Sequence, residues 1–520
     1  MPSLTRMNWR SAAGWHDTGA WSSETVPGLL LLAAQHAPAG NGVADGSGFT
    51  TWRELAQWVG DLSHDLRAVG VRHGDIVPVL VADSADFIAS VVAVQAVGAV
   101  AAPLGYRSGA TEVQRIVTTT RARVLIAQSD VDMPTQPGLR RVLPNRRPAQ
   151  GSLGNSPAYA ASELDSDAVG DVMFTSGTTG RPKGVMNSAN TKLTGLRGFV
   201  SEFDFGPDDV WAQVAPMTHN AGWLYTVLPA LLTLGSVQVI PRGDAVTMME
   251  TMRASGATVT FLVPTHLEDL HRAWAMDTPV RPLQLRYVIT GAAPAGEEVL
   301  RAITEDWKTT VVSVYGLTET QAILFTRPDD PLEVIIGTVG RPCPGVEVAL
   351  RNPADPEAPM PSGQPGELVT RGPNVFLGYL GDEDATSDSF SSDGWFRSGD
   401  LAVEHRGSFR IVGRLKDIIL RGGATISPRD VEEAICSVLA VERVAVIGLP
   451  DARLGERVCA CIPAPMAVDL EGLKDLMQSA GLGRALLPDL LVEVTGFPLT
   501  DLGKVRSAEL RDIVLATMPA

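Results

Sequence analysis

Between Phe174 and Gly184 the chain reads FTSGTTGRPKG. Gly177, Gly180 and Gly184 permit positive φ and close backbone approach, so several N–H groups can turn toward one anion. Thr175, Ser176, Thr178 and Thr179 add short hydroxyl donors, and Lys183 adds a mobile point charge. That combination suits phosphate. It is not a Walker A loop, which needs Gly-Lys-Ser/Thr after a glycine and four residues, because the position reached from Gly177 is Pro182. A Ser/Thr/Gly-rich surface turn is the plain alternative.

Further strings follow in order: APMTHNAGW at 215–223, ITGAAP at 289–294, YGLTET at 315–320, GWFRSGDL at 394–401, GRLKDIILRGGATISP at 413–428 and PLTDLGK at 498–504. Together with the glycine loop, their order resembles the adenylate-forming superfamily of acyl-CoA and aryl-CoA synthetases, stand-alone aryl-acid ligases and luciferases. The resemblance spans nearly the whole chain, from about residue 75 to Lys504, and looks closest to bacterial acyl- or aryl-CoA ligases. It implies a carboxylate attacking the α-phosphorus of ATP, two anions that repel, with a highly charged pyrophosphate leaving. Such a reaction depends on positioning and charge neutralisation.

The resemblance assigns roles to individual residues. The loop from Thr175 through Ser176, Gly177, Thr178, Thr179 and Gly180 to Lys183 would hold the β- and γ-phosphates. Tyr315 and Gly316 would lie on one side of the adenine, with the backbone of Gly291, Ala292 and Ala293 on the other. Thr318 would touch the α-phosphate and Glu319 would hold Mg2+, a hard cation that takes carboxylate and phosphate oxygens. Asp400 suits a ribose diol, since a carboxylate accepts from both hydroxyls, and Arg414 would reinforce that end. Lys504 would bridge the carboxylate and α-phosphate oxygens during adenylation. Lys416 matches a hinge about which a small mobile domain swings to a thioester-forming arrangement, with Gly422 and Gly423 bordering a tunnel for the thiol.

The same resemblance places His219, Asn220, Trp223 and Gly291 at the acid pocket, with His219 shifting between the half-reactions. Asn220 can hydrogen-bond an ortho hydroxyl or amino group, and Trp223, Ala292 and Ala293 bring bulk that favours a compact ring over a long alkyl chain. No acidic residue follows His219 to pair with an α-ammonium. The implied reaction joins a small aromatic or cyclic carboxylic acid to coenzyme A at the expense of ATP. Loading of a separate carrier protein and a medium-chain fatty acyl-CoA synthetase are the alternatives, and a luciferase-type oxygenase or a non-catalytic nucleotide binder would share the motifs. Sixteen residues follow Lys504, so the thiol acceptor is expected from outside. Two departures touch the substrate and acceptor assignments: Ala189 stands where relatives often have His, and no basic cluster follows Lys504.

The positioning elements are read from periodicity. With 520 residues, the chain exceeds what one hydrophobic core usually supports. Strand-like runs DIVPVLVA at 75–82, VLIA at 124–127, SVQVI at 236–240, TVTFLV at 258–263, RYVIT at 286–290 and TVVSVY at 310–315 alternate with helical patterns up to about residue 410. This predicts an α/β fold of layered, largely parallel sheets and helices. The apolar run Phe87–Gly105 is of membrane-spanning length, yet Gln95, Gly98 and Pro103 interrupt it, so it reads as a buried helix to about Gly98 and then a strand. Residues 129–171 read as a long polar connection. After Gly413, Ser427 caps a helix opening at Pro428, and further strands and a helix follow. The expected division is therefore 1–413 for the large ATP- and acid-binding domain and 414–520 for a small α+β domain.

A net charge of −16 disfavours nucleic acid or an anionic membrane as the main partner. The four cysteines lack zinc-site pairing, Cys459 and Cys461 alternate onto one strand face, and the N-terminus lacks the apolar core of a signal peptide. A reducing cytoplasm is the compartment this implies.

Overall fold

A computed structural model describes residues 12–144, 159–175, 183–241, 243–276, 282–293, 295–421, 424–439, 441, 443–465, 468–499 and 505–517. It is a mixed α/β structure in which the chain divides into two compact units, one of Met1–Val348 with Thr370–Phe390, the other of Ala349–Val369 with Ser391–Ala520.

The first unit contains two sheets. One has seven strands, ordered Gly378–Tyr379, Lys183–Ser188, Val169–Thr175, Val100–Pro103, Ile76–Leu80, Val124–Ala127 and Arg140–Val142. The run after Ser84 folds as the helix Ala85–Ala96, with Ser84 accepting from the Phe87 N–H as its cap and every helical residue buried except Asp86. The backbone then turns at Gly98 with φ +74° and enters the strand Val100–Pro103, parallel to Ile76–Leu80. Among the described residues no helix is long and apolar enough to cross a membrane. The polar stretch 129–171 is less irregular than its composition predicts: Arg140–Val142 closes one sheet edge beside Val124–Ala127, and the strand Val169–Thr175 starts inside it.

The other sheet has nine strands, with Val210–Gln213, Val259–Leu262, Tyr287–Thr290 and Thr310–Leu317 running parallel near its middle. Its edge pairs are antiparallel, including Thr310–Leu317 with Gln321–Phe325. Each sequence-predicted strand between 75 and 315 is present within two or three residues of its expected ends.

The second unit departs from the alternation expected as far as residue 410. Between residues 347 and 414 five strands form one sheet, in which Phe396–His405 pairs antiparallel with Ser408–Arg414. The buried positions of Phe396–His405 cluster at Asp400, Leu401 and Ala402 rather than alternating, so the strand lacks the period of two that marks an antiparallel strand in sequence. Beyond it, the Ser427 hydroxyl accepts from the Asp430 N–H and opens the helix Pro428–Val438 as expected. The strands Ala445–Asp451 and Gly455–Pro463 pair antiparallel, and Leu490–Val494 joins the latter in parallel. Val458, Ala460 and Ile462 pack into one apolar cluster, while Cys459 and Cys461 face another, as period-two alternation requires.

Candidate functional site

The glycine loop is the connection of a hairpin. Val169–Thr175 and Lys183–Ser188 pair antiparallel, with Thr175 opposite Lys183 and Phe174 opposite Gly184, so both residues that flank the loop are anchored in one ladder. Ser176, Gly177, Thr178, Thr179 and Gly180 lie outside the described residues. Lys183 is held from the neighbouring edge strand: its Nζ lies 4.5 Å from the centroid of the Tyr379 ring, and Tyr379 pairs with Val185.

Tyr379 also reaches the YGLTET motif. Its hydroxyl donates to Glu319 Oε1 at 2.9 Å, and burial followed by the Glu319 charge pushes the phenol well above its ordinary range, so it stays a donor. Thus Lys183 and Glu319, 136 positions apart in sequence, share one aromatic side chain. Tyr379 is not legible in the sequence. An isolated Gly-Tyr pair in a loop-rich stretch carries no periodic signal.

The strand Thr310–Leu317 carries Tyr315 to the end of the nine-stranded sheet, beside the segment that follows Tyr287–Thr290. Two glycines there are sterically required. A Cβ on Gly291 would lie 2.7 Å from the Val314 carbonyl oxygen, and one on Gly316 would lie 1.8 Å from that of Gln321. Ala292 adopts φ +70°, a left-handed conformation costly for a residue with a Cβ and often found where backbone serves a site. Thr318 and Glu319 occupy the turn between Thr310–Leu317 and Gln321–Phe325, anchored by Phe376 N–H donating to the Glu319 carbonyl at 2.7 Å.

His219, in extended backbone, precedes a helical run from Asn220 to Leu232, and its carbonyl accepts from the N–H groups of Gly222 and Trp223. Trp223 is buried edge-on to Phe87 at 6.1 Å, so its bulk also packs the large unit. Asn220 donates through Nδ2 to Gln321 Oε1 at 3.1 Å.

In the second unit, Asp400 and Arg414 sit opposite one another across the hairpin, and Arg414 Nε donates to Asp400 Oδ1 at 3.0 Å. Asp400 is only 4% exposed. Its approach is rigid, because Arg397 donates through Nε and Nη2 to Glu367 Oε2 at 3.1 and 2.9 Å while the Gly399 N–H donates to Oε1. Glu367, which no sequence motif marks, is the buried anchor of the Ser-Gly-Asp turn. Lys416 lies in a single helical turn, Leu415–Asp417. Desolvation holds its ammonium below the ordinary lysine range, with Asp417 opposing. Gly422, Gly423 and Lys504 lie outside the described residues.

Glu319 fits a Mg2+ shared with phosphate. It is a hard carboxylate on a loop, and no group of three or more His, Cys, Asp or Glu side chains able to cage an ion occurs among the described residues. A cation there would draw its other ligands from phosphate and water, as Mg2+ does.

Comparison with known proteins places this geometry. The family model for AMP-binding enzymes matches residues 33–380, and that for the AMP-binding enzyme C-terminal domain matches residues 430–504. The chain is 31% identical to the salicyl-AMP ligase / salicyl-S-ArCP synthetase of Mycobacterium tuberculosis, over 98% of this chain and 94% of that protein. It is 31% identical to a feruloyl-CoA synthase of Amycolatopsis, over 92% and 96% respectively. The crystal structure of ATP-bound MatB from Rhodopseudomonas palustris superposes with a TM-score of 0.83 at 25% identity, covering 94% of this chain and 98% of that one.

Proposed function

The chain belongs to the AMP-binding enzyme family, and we propose that it activates a small aromatic or cyclic carboxylic acid as its acyl adenylate and passes the acyl group to coenzyme A. The observation that carries this reading is the grouping of Lys183, Tyr379 and Glu319 at the stem of the glycine hairpin, an arrangement of one cation and one carboxylate suited to ATP phosphates.

In the first step a carboxylate oxygen of the acid attacks the α-phosphorus. The bond from that phosphorus to the bridging oxygen breaks, and the electron pair leaves with pyrophosphate. Lys183 and the loop from Thr175 to Gly180 hold the departing phosphates, Thr318 touches the α-phosphate, and Tyr315 and Gly316, with the Gly291–Ala293 backbone opposite, sandwich the adenine. Asp400 accepts from the ribose hydroxyls, with Arg414 holding its carboxylate in place. Lys504 bridges the two reacting anions, where charge concentrates in the transition state. Mg2+, held by Glu319, neutralises phosphate charge when bound. In the second step the thiol sulfur attacks the acyl carbonyl carbon, the mixed-anhydride bond breaks and AMP leaves. The 414–520 domain swings about Lys416, withdrawing Lys504 and opening the tunnel beside Gly422 and Gly423. His219, Asn220, Trp223 and Gly291 shape the acid pocket. Four free cysteines accord with cytoplasmic placement.

Acid-dependent pyrophosphate release over a panel of aryl, alicyclic and medium-chain acids tests the reading, with thioester formation followed by mass spectrometry. Release with ring acids and a coenzyme A thioester product are expected. No release with any acid, on folded protein, sinks the proposal, and acyl transfer only to a carrier protein would replace coenzyme A as acceptor.

A further inference from the structure

The strand Lys183–Ser188 alternates its side chains, so Lys183, Val185 and Asn187 share one face. Across the ladders on either side, Tyr379 lies opposite Val185 and Asp171 opposite Asn187, which puts both on that same face. Two ties leave this face for the turn that carries Thr318 and Glu319. One runs from Lys183 through the Tyr379 ring to Glu319. The other starts four residues along the strand, about 13 Å away, where the fully buried Asn187 meets Gln321, itself buried and paired with Leu317 at the close of the turn.

Gln321 Nε2 divides its two hydrogens. One goes to the Thr318 carbonyl at 3.0 Å, inside the turn, and the other to Asn187 Oδ1 at 2.9 Å, on the hairpin stem. The Thr318 carbonyl can only accept, which fixes the direction of the Gln321 amide. Gln321 adopts φ +55° there, the left-handed region that a residue with a Cβ enters at a cost. Asn187 Nδ2 donates in turn to Asp171 Oδ1 at 3.5 Å, and the buried Lys192 ammonium lies 3.3 Å from that same oxygen. Both stems of the glycine hairpin are thus joined to the Thr318–Glu319 turn through neutral amides that rest on a buried ion pair.

A single tie next to the loop would let the hairpin pivot about it. A second tie four residues away fixes the angle as well as the distance. Resting on the adenylation reading above, we propose that Asn187 and Gln321 are positioning residues that hold the glycine hairpin in set register with the Thr318–Glu319 turn, so that the groups gripping the departing pyrophosphate stay aligned with the α-phosphorus. Each acts through the backbone it holds, and misplacement by about 1 Å in such a site costs about a hundredfold in rate.

Substituting Asp171 or Lys192 would strand the other charge in the interior, so the test falls on the amides. Asn187→Ala cuts the second tie without adding volume and leaves Gln321 on the Thr318 carbonyl. Its kcat/KM for ATP in pyrophosphate exchange should fall by about tenfold to a hundredfold, with KM for the acid unchanged. Thioester formation from a chemically prepared acyl adenylate should be spared, since pyrophosphate has already left. Gln321→Asn tolerates the left-handed backbone but is one methylene too short to span both acceptors, so it should cost at least as much. Adding Asn187→Ala to Gln321→Asn should lower kcat/KM by less than about threefold more, because one tie cannot be cut twice.

Calorimetry gives a readout that needs no turnover. Affinity for ATP with Mg2+ should fall about tenfold in Asn187→Ala, while affinity for AMP, which lacks the β- and γ-phosphates, holds. Equal loss in both half-reactions, equal weakening of ATP and AMP, or losses that multiply in the double variant would assign the amides to general packing and overturn the proposal. Absence of pyrophosphate exchange with every acid on the unaltered protein would strike only the adenylation reading, and the comparison of ATP with AMP would still decide the role of Asn187.

Discussion

The phenolic hydroxyl of Tyr379 donates to Glu319 at 2.9 Å while the face of the same ring carries the Lys183 ammonium, 4.5 Å from its centroid. The hydrogen bond and the cation–π contact are separable by substitution. Tyr379→Phe keeps the ring and removes the donor, a change worth about 1.5–3 kcal/mol for a bond to a charged group. It should lower kcat/KM for ATP by about tenfold and raise the Mg2+ concentration needed for half-maximal adenylation. Tyr379→Ala should lose several-fold more, because Lys183 also loses its platform. Mg2+ titration of pyrophosphate exchange reads both, and Tyr379→Phe indistinguishable from the unaltered enzyme would remove Tyr379 from the site.

Asp400 is the buried half of a charge pair, so Asp400→Asn keeps its volume and abolishes its charge. If its carboxylate accepts from the ribose hydroxyls, the variant should raise KM for ATP by about tenfold or more. KM for the acid should change little. The sharper readout is discrimination between ATP and 2′-deoxy-ATP, expected in the unaltered enzyme and largely erased in Asp400→Asn; equal discrimination in both would assign Asp400 to holding Arg414 alone.

Lys504→Ala should abolish adenylation, by about a thousandfold for loss of a charge that stabilises the transition state. It should spare thioester formation from a chemically prepared acyl adenylate, since the thiol step does not use this lysine. Stopped-flow assays of the two half-reactions separate these outcomes, and equal loss of both would refute the role given to Lys504.

Glu432, on the helix Pro428–Val438, is pushed up to about 7 by burial, against the opposing effect of the Val446 N–H that donates to its Oε1 at 2.8 Å. A carboxyl raised above its ordinary value binds a proton more tightly folded than unfolded. Its contribution to stability is complete below about pH 4.5 and is lost as pH rises through about 7. Over that window the second unit should lose about 3 kcal/mol of unfolding free energy from this group. Glu432→Gln should flatten the slope in urea titrations between these pH values. An unchanged slope would show that the carboxyl is already ionised at low pH.

Much of the fold was legible because its signals are local. The strand Tyr287–Thr290, the helix Ala85–Ala96 and its break at Gly98 follow from periodicity and one glycine, and Ser427 with Pro428 marks a helix start by cap chemistry alone. The antiparallel pairing of Phe396–His405 with Ser408–Arg414 was not, because clustered burial says little about which strand each will pair with.

By itself, the sequence determined which chemical groups are present and in what order: a glycine loop ending in Lys183, the Thr318–Glu319 pair, Asp400, Arg414 and Lys504. Their types and spacing sufficed to indicate phosphate chemistry and, through resemblance, adenylation. Only the tertiary structure decided who meets whom. Tyr379 joins Lys183 to Glu319, Glu367 accepts from the Gly399 N–H beside Asp400, and Asn220 donates to Gln321, 101 positions away. Those meetings depend on strand register and on the sides from which separate segments converge, and a shift of one residue turns every side chain of a strand to its other face. Composition and local period carry no record of that choice.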